Sequence, residues 1–416
     1  MTISDLLLAD EKLLNHSAIA IALPQLKLTS WLSAQKIYPK VYWQGHGSVQ
    51  CLAALGSIAS FPSIPYFSHT SSIRFFGGQA FSQEKADSTW NAFPGSQFWV
   101  PQFELSQDAQ ETNLQLHFID QAPSAALMEL LRFEIPRKDR TNYSFIERKD
   151  SPSFAAWEKQ VLQALQKIEQ GVFEKVVLAR KTTLVFASSL DPWEILEALQ
   201  KKNERSTLFA FQMSPHQTFL GASPEKLYVR KKQTLMTEAL AGTRIRGKNA
   251  AEDLMLEEQL LQNLKEQREF ACVKQFIHAA LFPLCSSIEW DQHDHVLKTS
   301  TVQHIYNRAS ATLWPEVTDQ ELFSALHPTP AMGGNPREAA LEFLLRSEPF
   351  NRGWYAAPIG WISSEEADIV VGIRSALVEH NKVHLFAGTG IVIGSDPAKE
   401  WEELDQKIER FMQVLL

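Results

Sequence analysis

Strand-like runs that follow one another without a helix between them constrain this chain more than any other feature. ADIVVGIRSALVE (367–379) and KVHLFAGTGIVIG (382–394) are apolar and rich in β-branched residues, and they read as strands. A helical pattern then runs from Pro397 to about Leu415, with Trp401, Leu404, Ile408, Phe411, Met412 and Leu415 on one stripe. Upstream, FAAWEKQVLQALQKIEQG sets Phe154, Trp157, Val161, Leu165 and Ile168 at steps of three and four, and Gly171 stops that helix. KVVLARKTTLVF (175–186) reads as a strand, and a long helical pattern covers about residues 251–282. Long helices mixed with many strands, without a regular βαβ rhythm, predict an α+β fold rather than a doubly wound sheet.

The first 135 or so residues have another texture. They are rich in Ser, Phe, Trp and Pro, and their short apolar runs (SIRFFGG, QFWVPQFEL, LQLHFI) suggest strands and turns. EIPRKDRTNYSFIERKDSP (134–152) is polar, with a proline near each end, and is the best candidate linker. It divides the chain into residues 1–150 and 151–416.

Several function classes fall away on composition. A net charge of −8, with Lys and Arg spread along the chain, argues against a nucleic-acid surface. Cys51, Cys272 and Cys285 show no CxxC spacing, which fits a reducing compartment and neither a disulfide framework nor a structural zinc site. The N-terminus lacks a basic segment followed by an apolar one, and runs such as AIAIALP are too short to span a bilayer. A cytoplasmic protein is expected.

Certain charged residues sit where a solvated surface is not the only reading. In GSDPAKEWEEL, Pro397 suits a first helical turn and Ser395 or Asp396 can cap it. Glu400, Glu403 and Lys407 then share one flank, which is either a solvated face with an ion pair or two carboxylates available to a hard divalent cation. Glu269 falls in line with Val273, Phe276 and Ile277; such a carboxylate needs a partner, either Lys265 at i−4 or a metal. Lys175 heads an apolar strand and Glu225 follows a Ser-Pro turn. Both are ordinary surface residues unless a pocket desolvates them, in which case Lys175 becomes a base and Glu225 an acid. TEALAGT and FAGTGIV bring glycines that let main-chain N–H groups approach an anion. Arg374 lies inside an apolar strand run, where a guanidinium calls for an anionic partner.

Taken in order, KVVLAR, FLGASPEKL, TEALAGT, KEQREF, LHPTPAMGG, RGWYAAPIGW, VGIRSAL, FAGTGIV and SDPAKEWEEL resemble the chorismate-binding enzyme family. That family includes isochorismate synthases, salicylate synthases, anthranilate synthase large subunits and aminodeoxychorismate synthases. The resemblance covers about residues 150–416, and residues 1–150 correspond to the family's variable part, packed into the same fold. It implies a single α+β body with large antiparallel sheets flanked by helices and an active site between them. It also implies Mg²⁺ on Glu269 and Glu403, with Glu400 nearby or ligating through water. Arg374 and Lys407 would hold the enolpyruvyl carboxylate of chorismate. Gly242, Thr243 and Gly388 would surround the substrate, and His327, in the HPTPA segment, would line the pocket.

Within the family the chain is most similar to isochorismate synthases. Ala241 stands where the aminodeoxychorismate branch carries a nucleophilic lysine, and EALAGT and HPTPAMGGNPR depart from the anthranilate pattern. TRIRG and Thr389 are departures from the isochorismate pattern that remove no functional group. The resemblance therefore implies an isomerase that adds water at C2 of chorismate and expels the C4 hydroxyl, with Lys175 as base and Glu225 as acid. A monomer without a glutaminase subunit is expected, serving menaquinone synthesis. A salicylate synthase, a siderophore-pathway isochorismate synthase and a non-catalytic chorismate-binding protein are the other readings.

Overall fold

A computed structural model describes residues 16–65, 72–82, 88–119, 131, 141–201, 206–298 and 302–416. Among these, two antiparallel sheets dominate. The larger, with 12 strands, runs in the order β1 (His16–Leu23), β8 (Thr112–Ile119), β7 (Phe103–Gln107), β3 (Cys51–Leu55), β2 (Lys40–Gln44), β11 (Thr207–Ser214), β12 (Gln217–Ser223), β21 (Ser375–Glu379), β22 (Lys382–Ile391), β10 (Lys175–Phe186) and β18 (Gly334–Asn335), with β9 (Phe145–Ser151) beside β10. The smaller, with 10, runs β15 (Cys285–Trp290), β17 (Val302–Leu313), β14 (Thr234–Ile245), β13 (Lys226–Lys231), β20 (Glu366–Val371), β19 (Pro358–Ile362), β5 (Phe75–Gln79), β6 (Ser96–Val100) and β4 (Ala59–Phe61), with β16 (His295–Lys298) beside β17. Each sheet contains strands from both the first 151 residues and the remainder.

Two crossings between the sheets matter for the site. The chain leaves β12 in the larger sheet, passes Pro224-Glu225 and enters β13 in the smaller. It returns from β20 through Gly372-Ile373-Arg374 into β21. The crossings are bonded to each other: the Val371 N–H donates to the Glu225 carbonyl and the Ala222 N–H to the Arg374 carbonyl, both at 3.1 Å. Arg374 is therefore not inside one strand, as its apolar surroundings suggest. It sits at φ 49 between two strands of different sheets.

Helices α1 (Leu28–Ala34), α2 (Phe154–Glu169), α3 (Pro192–Lys201), α4 (Ala250–Gln262), α5 (Leu264–Leu281), α6 (Asp319–Leu326), α7 (Arg337–Ser347) and α8 (Pro397–Leu415) flank the sheets. The single helix expected over 251–282 is two. Asn263 is extended (φ −75, ψ 113) and its side chain accepts from the Glu266 N–H, so it ends α4 and starts α5. Helix α8 packs on β22 and α5 on β14, one helix against each sheet. The Asp396 carboxylate caps α8 by accepting from the Ala398 and Lys399 N–H groups. Its stripe residues Leu404, Ile408 and Phe411 join the larger core with Leu178, Val383 and Leu385. A second core, with Leu235, Val273, Ile277 and Ile305, lies with the smaller sheet.

The polar stretch 134–152 is also different from expectation. Residues 134–140 lie outside the described residues, but 145–151 form β9, paired with β10 from Lys181 to Phe186. Its charges are partnered rather than linker-like: Asp150 accepts from the Thr182 hydroxyl at 2.5 Å, and Arg148 reaches Asp405 of α8 at 2.6 Å. Asp405 also holds the buried Arg180 at 2.6 Å, whose guanidinium stacks on Trp401 at 4.2 Å. No helix among the described residues is long and apolar enough to cross a membrane.

Candidate active site

The two crossings border a cavity of about 210 Å³. Lys175 projects into it from the first residue of β10, Glu225 and Arg374 from the crossings, and Gly242 and Thr243 from β14. Glu269 reaches it from α5, Gly388 from β22, and Glu400, Glu403 and Lys407 from one flank of α8.

His327 is a correction. It does not line this cavity, although Ala331 and Met332 of the same segment do. Its ring packs edge-on against Phe81, with centroids 5.5 Å apart, and both ring nitrogens are shielded from solvent. Burial and the charges of Arg337 and Arg352 push its pKa down to about 3. Neither ring nitrogen has a hydrogen-bond partner among the described residues. It packs as a neutral aromatic behind the wall.

Each of the two carboxylates expected at a metal is held by a lysine. Lys175 Nζ contacts Glu269, an ion pair that joins β10 of the larger sheet to α5 on the smaller; the side chain of Lys265 lies outside the described residues. Lys407 Nζ bonds Glu403 at 2.5 Å and the Gly388 carbonyl at 2.8 Å. Burial disfavours the charged form of Glu269, but Lys175 and then Lys407 outweigh it and hold the carboxyl below its usual range. Glu403 behaves likewise, with burial overcome by Lys407 and, further off, Arg374. The two carboxylates also repel each other, so they share one electrostatic environment. Glu400 accepts from the Thr389 hydroxyl at 2.5 Å. Among the described residues, no three His, Cys, Asp or Glu side chains already stand in metal-ligating geometry.

The Glu225 carboxyl is shifted the other way from Glu269 and Glu403. Burial, then the Glu238 charge, raise its pKa to about 7, against the pull of Lys175. Arg374 donates one N–H to the Lys407 carbonyl at 3.0 Å, and no carboxylate of the described residues pairs with it. A guanidinium so placed leaves donors for an anionic ligand. His304 of β17 was not singled out in the sequence. Its Nδ1 lies 3.0 Å from the Thr243 hydroxyl and 3.2 Å from the Gly242 carbonyl, and burial followed by the Arg374 charge lowers its pKa to about 4. It steadies the AGT turn as a neutral ring; nothing in QHIYN marks it, because its partners lie some sixty residues earlier.

Gly390 controls the space around Lys175. A Cβ at Gly390, on the neighbouring strand, would lie 2.7 Å from Lys175 Cε. Gly390→Ala is expected to displace the lysine rather than unfold the sheet, since the clash is with a flexible stem. Turnover should fall about 10²-fold while the thermal midpoint moves little. Unchanged turnover would show that the lysine can be moved at no cost.

Fold and cavity together define an enzyme-like α+β body in which carboxylates, lysines and an arginine line one small cavity. The chorismate binding enzyme family matches residues 63–416, and the chain belongs to that family. It is 34% identical to isochorismate synthase MenF of Bacillus subtilis over 349 residues, covering 82% of this chain and 74% of that protein. It is 33% identical to the chloroplastic isochorismate synthase of Catharanthus roseus, covering 78% of this chain but only 59% of the plant protein's length. The solved structure of MenF, the menaquinone-specific isochorismate synthase from Escherichia coli, matches with a TM-score of 0.89 at 29% identity, covering 96% of this chain and 95% of that one. The expected fold, a single α+β body with large antiparallel sheets flanked by helices, is the fold observed.

Proposed function

We propose that this protein is an isochorismate synthase, a Mg²⁺-dependent isomerase that converts chorismate to isochorismate, in menaquinone biosynthesis. The observation that carries this reading is that Lys175 and Glu225, the latter with a pKa raised to about 7, line one cavity together with Arg374. Similarity to menaquinone-specific MenF supports the pathway.

Arg374 and Lys407 bind the enolpyruvyl carboxylate. Main-chain and hydroxyl donors at Gly242, Thr243 and Gly388 surround the ring. Lys175 takes a proton from a water aimed at C2. Glu225, protonated, delivers its proton to the C4 oxygen as that bond breaks, and the ring double bond shifts. Hydroxide is a poor leaving group and neutral water a poor nucleophile, so both the acid and the base are needed. The base role requires Lys175 to part from Glu269.

The donor set fits Mg²⁺: Glu269 and Glu403 supply hard carboxylate oxygens from helices on opposite sheets, with Glu400 nearby, and each now holds a lysine ammonium in a cation's place. When bound, Mg²⁺ would fix the ring carboxylate and draw electron density through it. Glu403→Ala should abolish activity together with its Mg²⁺ dependence; a variant still fully stimulated by Mg²⁺ would remove Glu403 from the ligand set.

Water as nucleophile requires no glutaminase subunit, and the proposal takes the protein as a cytoplasmic monomer. Residues 1–150 are taken as a variable part of the same body as 151–416, supported by the strands that both contribute to each sheet. The deciding experiment is incubation with chorismate and Mg²⁺ followed by product analysis. Isochorismate alone is expected. Salicylate with pyruvate would make the protein a salicylate synthase, and binding without turnover would make it a non-catalytic binder.

A further inference from the structure

Strand β10, which carries Lys175, has a gap along one edge. On one side β22 pairs with it continuously from Val176 to Val185. On the other, β18 pairs only with Lys175 and Val176, and β9 only from Lys181 onward. Among the described residues, no strand therefore lies beside 177–180 on that edge. Main-chain groups at an open buried edge need partners.

Two side chains supply them. The Val177 carbonyl accepts from Arg352 Nη2 at 2.6 Å, and the Ala179 N–H donates to Glu348 Oε1 at 2.9 Å. The Val177 N–H is taken by the Gly333 carbonyl at 3.0 Å. Arg352 and Glu348 are themselves joined by two bonds, Nε to Oε2 at 2.8 Å and Nη2 to Oε1 at 2.5 Å. Arg352 Nη1 also donates to the Met332 carbonyl at 3.0 Å. The pair thus presents a donor and an acceptor to alternate residues of β10, as a neighbouring strand would.

Arg352 borders the cavity, yet four of its five N–H bonds are committed in this way, to Glu348 twice, Val177 and Met332. Its guanidinium also lies over the Phe81 ring at 4.3 Å. Both residues are buried, at 3% and 5% exposure. A buried ion pair adds little net stability over apolar residues of the same size, so stability alone does not explain it. On the far side of Val177 from Ala179, the sheet presses equally closely on Lys175: a Cβ at Gly334 would lie 2.2 Å from the Lys175 carbonyl.

We infer that Glu348 and Arg352 are a positioning pair for Lys175, a two-residue substitute for the missing strand that fixes the backbone from which the base projects. The role for Lys175 rests on the proposed function; the main-chain role of the pair does not.

The test uses Glu348→Leu/Arg352→Met, which removes both charges together and leaves neither buried alone. With chorismate, kcat is expected to fall about 10²-fold while KM stays within about twofold. The loss should vanish in a Lys175→Ala background and persist in a Glu225→Gln background, because interacting residues are non-additive and independent ones add. A loss of equal size on top of Lys175→Ala, or a kcat near wild type, overturns the inference. Should the double variant not fold, Arg352→Lys keeps the charge facing Glu348 but loses the bridging geometry, and the same pattern is expected at about tenfold. Amide hydrogen exchange over residues 177–180 is the second arm, independent of any activity. It should quicken in either variant, and unchanged exchange overturns the inference even if the wild-type protein leaves chorismate untouched, an outcome that would refute the proposed function separately.

Discussion

Lys175→Ala is expected to lower turnover of chorismate about 10²-fold or more, with substrate affinity largely kept. The lysine heads β10, its side chain is 9% exposed, and Glu269 is its ion-pair partner. Alanine removes the amine that would deprotonate water and also releases the Glu269 carboxylate. The second effect separates the base role from simple collapse of the site. A freed carboxylate should bind Mg²⁺ no more weakly than before, so calorimetric titration with Mg²⁺ should show undiminished affinity while turnover disappears. Near-normal turnover would end the assignment of Lys175 as base.

Glu225→Gln should cost a similar factor, because an amide cannot give a proton to the departing oxygen. The pH dependence makes this specific. With its pKa raised to about 7 by burial and Glu238, Glu225 carries its proton below pH 7 and loses it above. The wild-type rate should therefore fall on the alkaline side of about pH 7, and the glutamine variant should lack that limb. Stability runs with the same sign. A carboxyl whose folded-state pKa lies above its unfolded value stabilises the fold most fully below the unfolded value, near 4.5, and that contribution is lost as pH rises through 7. The variant should thus be more stable than wild type at pH 8, by on the order of 3 kcal/mol, and little different at about pH 4. Equal melting temperatures at pH 8 would show that the carboxyl is not desolvated.

What the sequence disclosed was local. Pro397, the Asp396 cap and the Trp401–Leu415 stripe defined α8 because a helix writes its start and its buried face into adjacent residues. The run from Lys175 to Phe186 was likewise a strand end to end. The break at Asn263 was hidden because Leu260, Leu261 and Leu264 keep the chain apolar across it. Arg374 was read inside a strand because β20 and β21 are both buried, and only Gly372 hints that the chain changes sheets there. The partner of Glu269 was legible as a need but not as a residue, since Lys175 lies 94 positions away. His304 left no signal, because its partners lie on a distant strand. Glu348 and Arg352 stand four apart, as an ion pair can, but nothing in that spacing tells that the pair bonds the main chain of β10 about 170 residues earlier. His327 was placed by its segment, and the ring turned out to face Phe81 behind the wall.

The paired crossings also divide the cavity mechanically. Glu225 and Arg374 stand on two segments bonded to each other, so they move as one piece and form a pivot. Glu269 and Glu403 ride on helices packed against different sheets, like the tips of two jaws. Any shear of one sheet over the other changes the gap between those tips while leaving the pivot's spacing intact. The gap between the two carboxylates is thus adjustable, while the spacing of Glu225 from Arg374 is held by the bonds between the crossings.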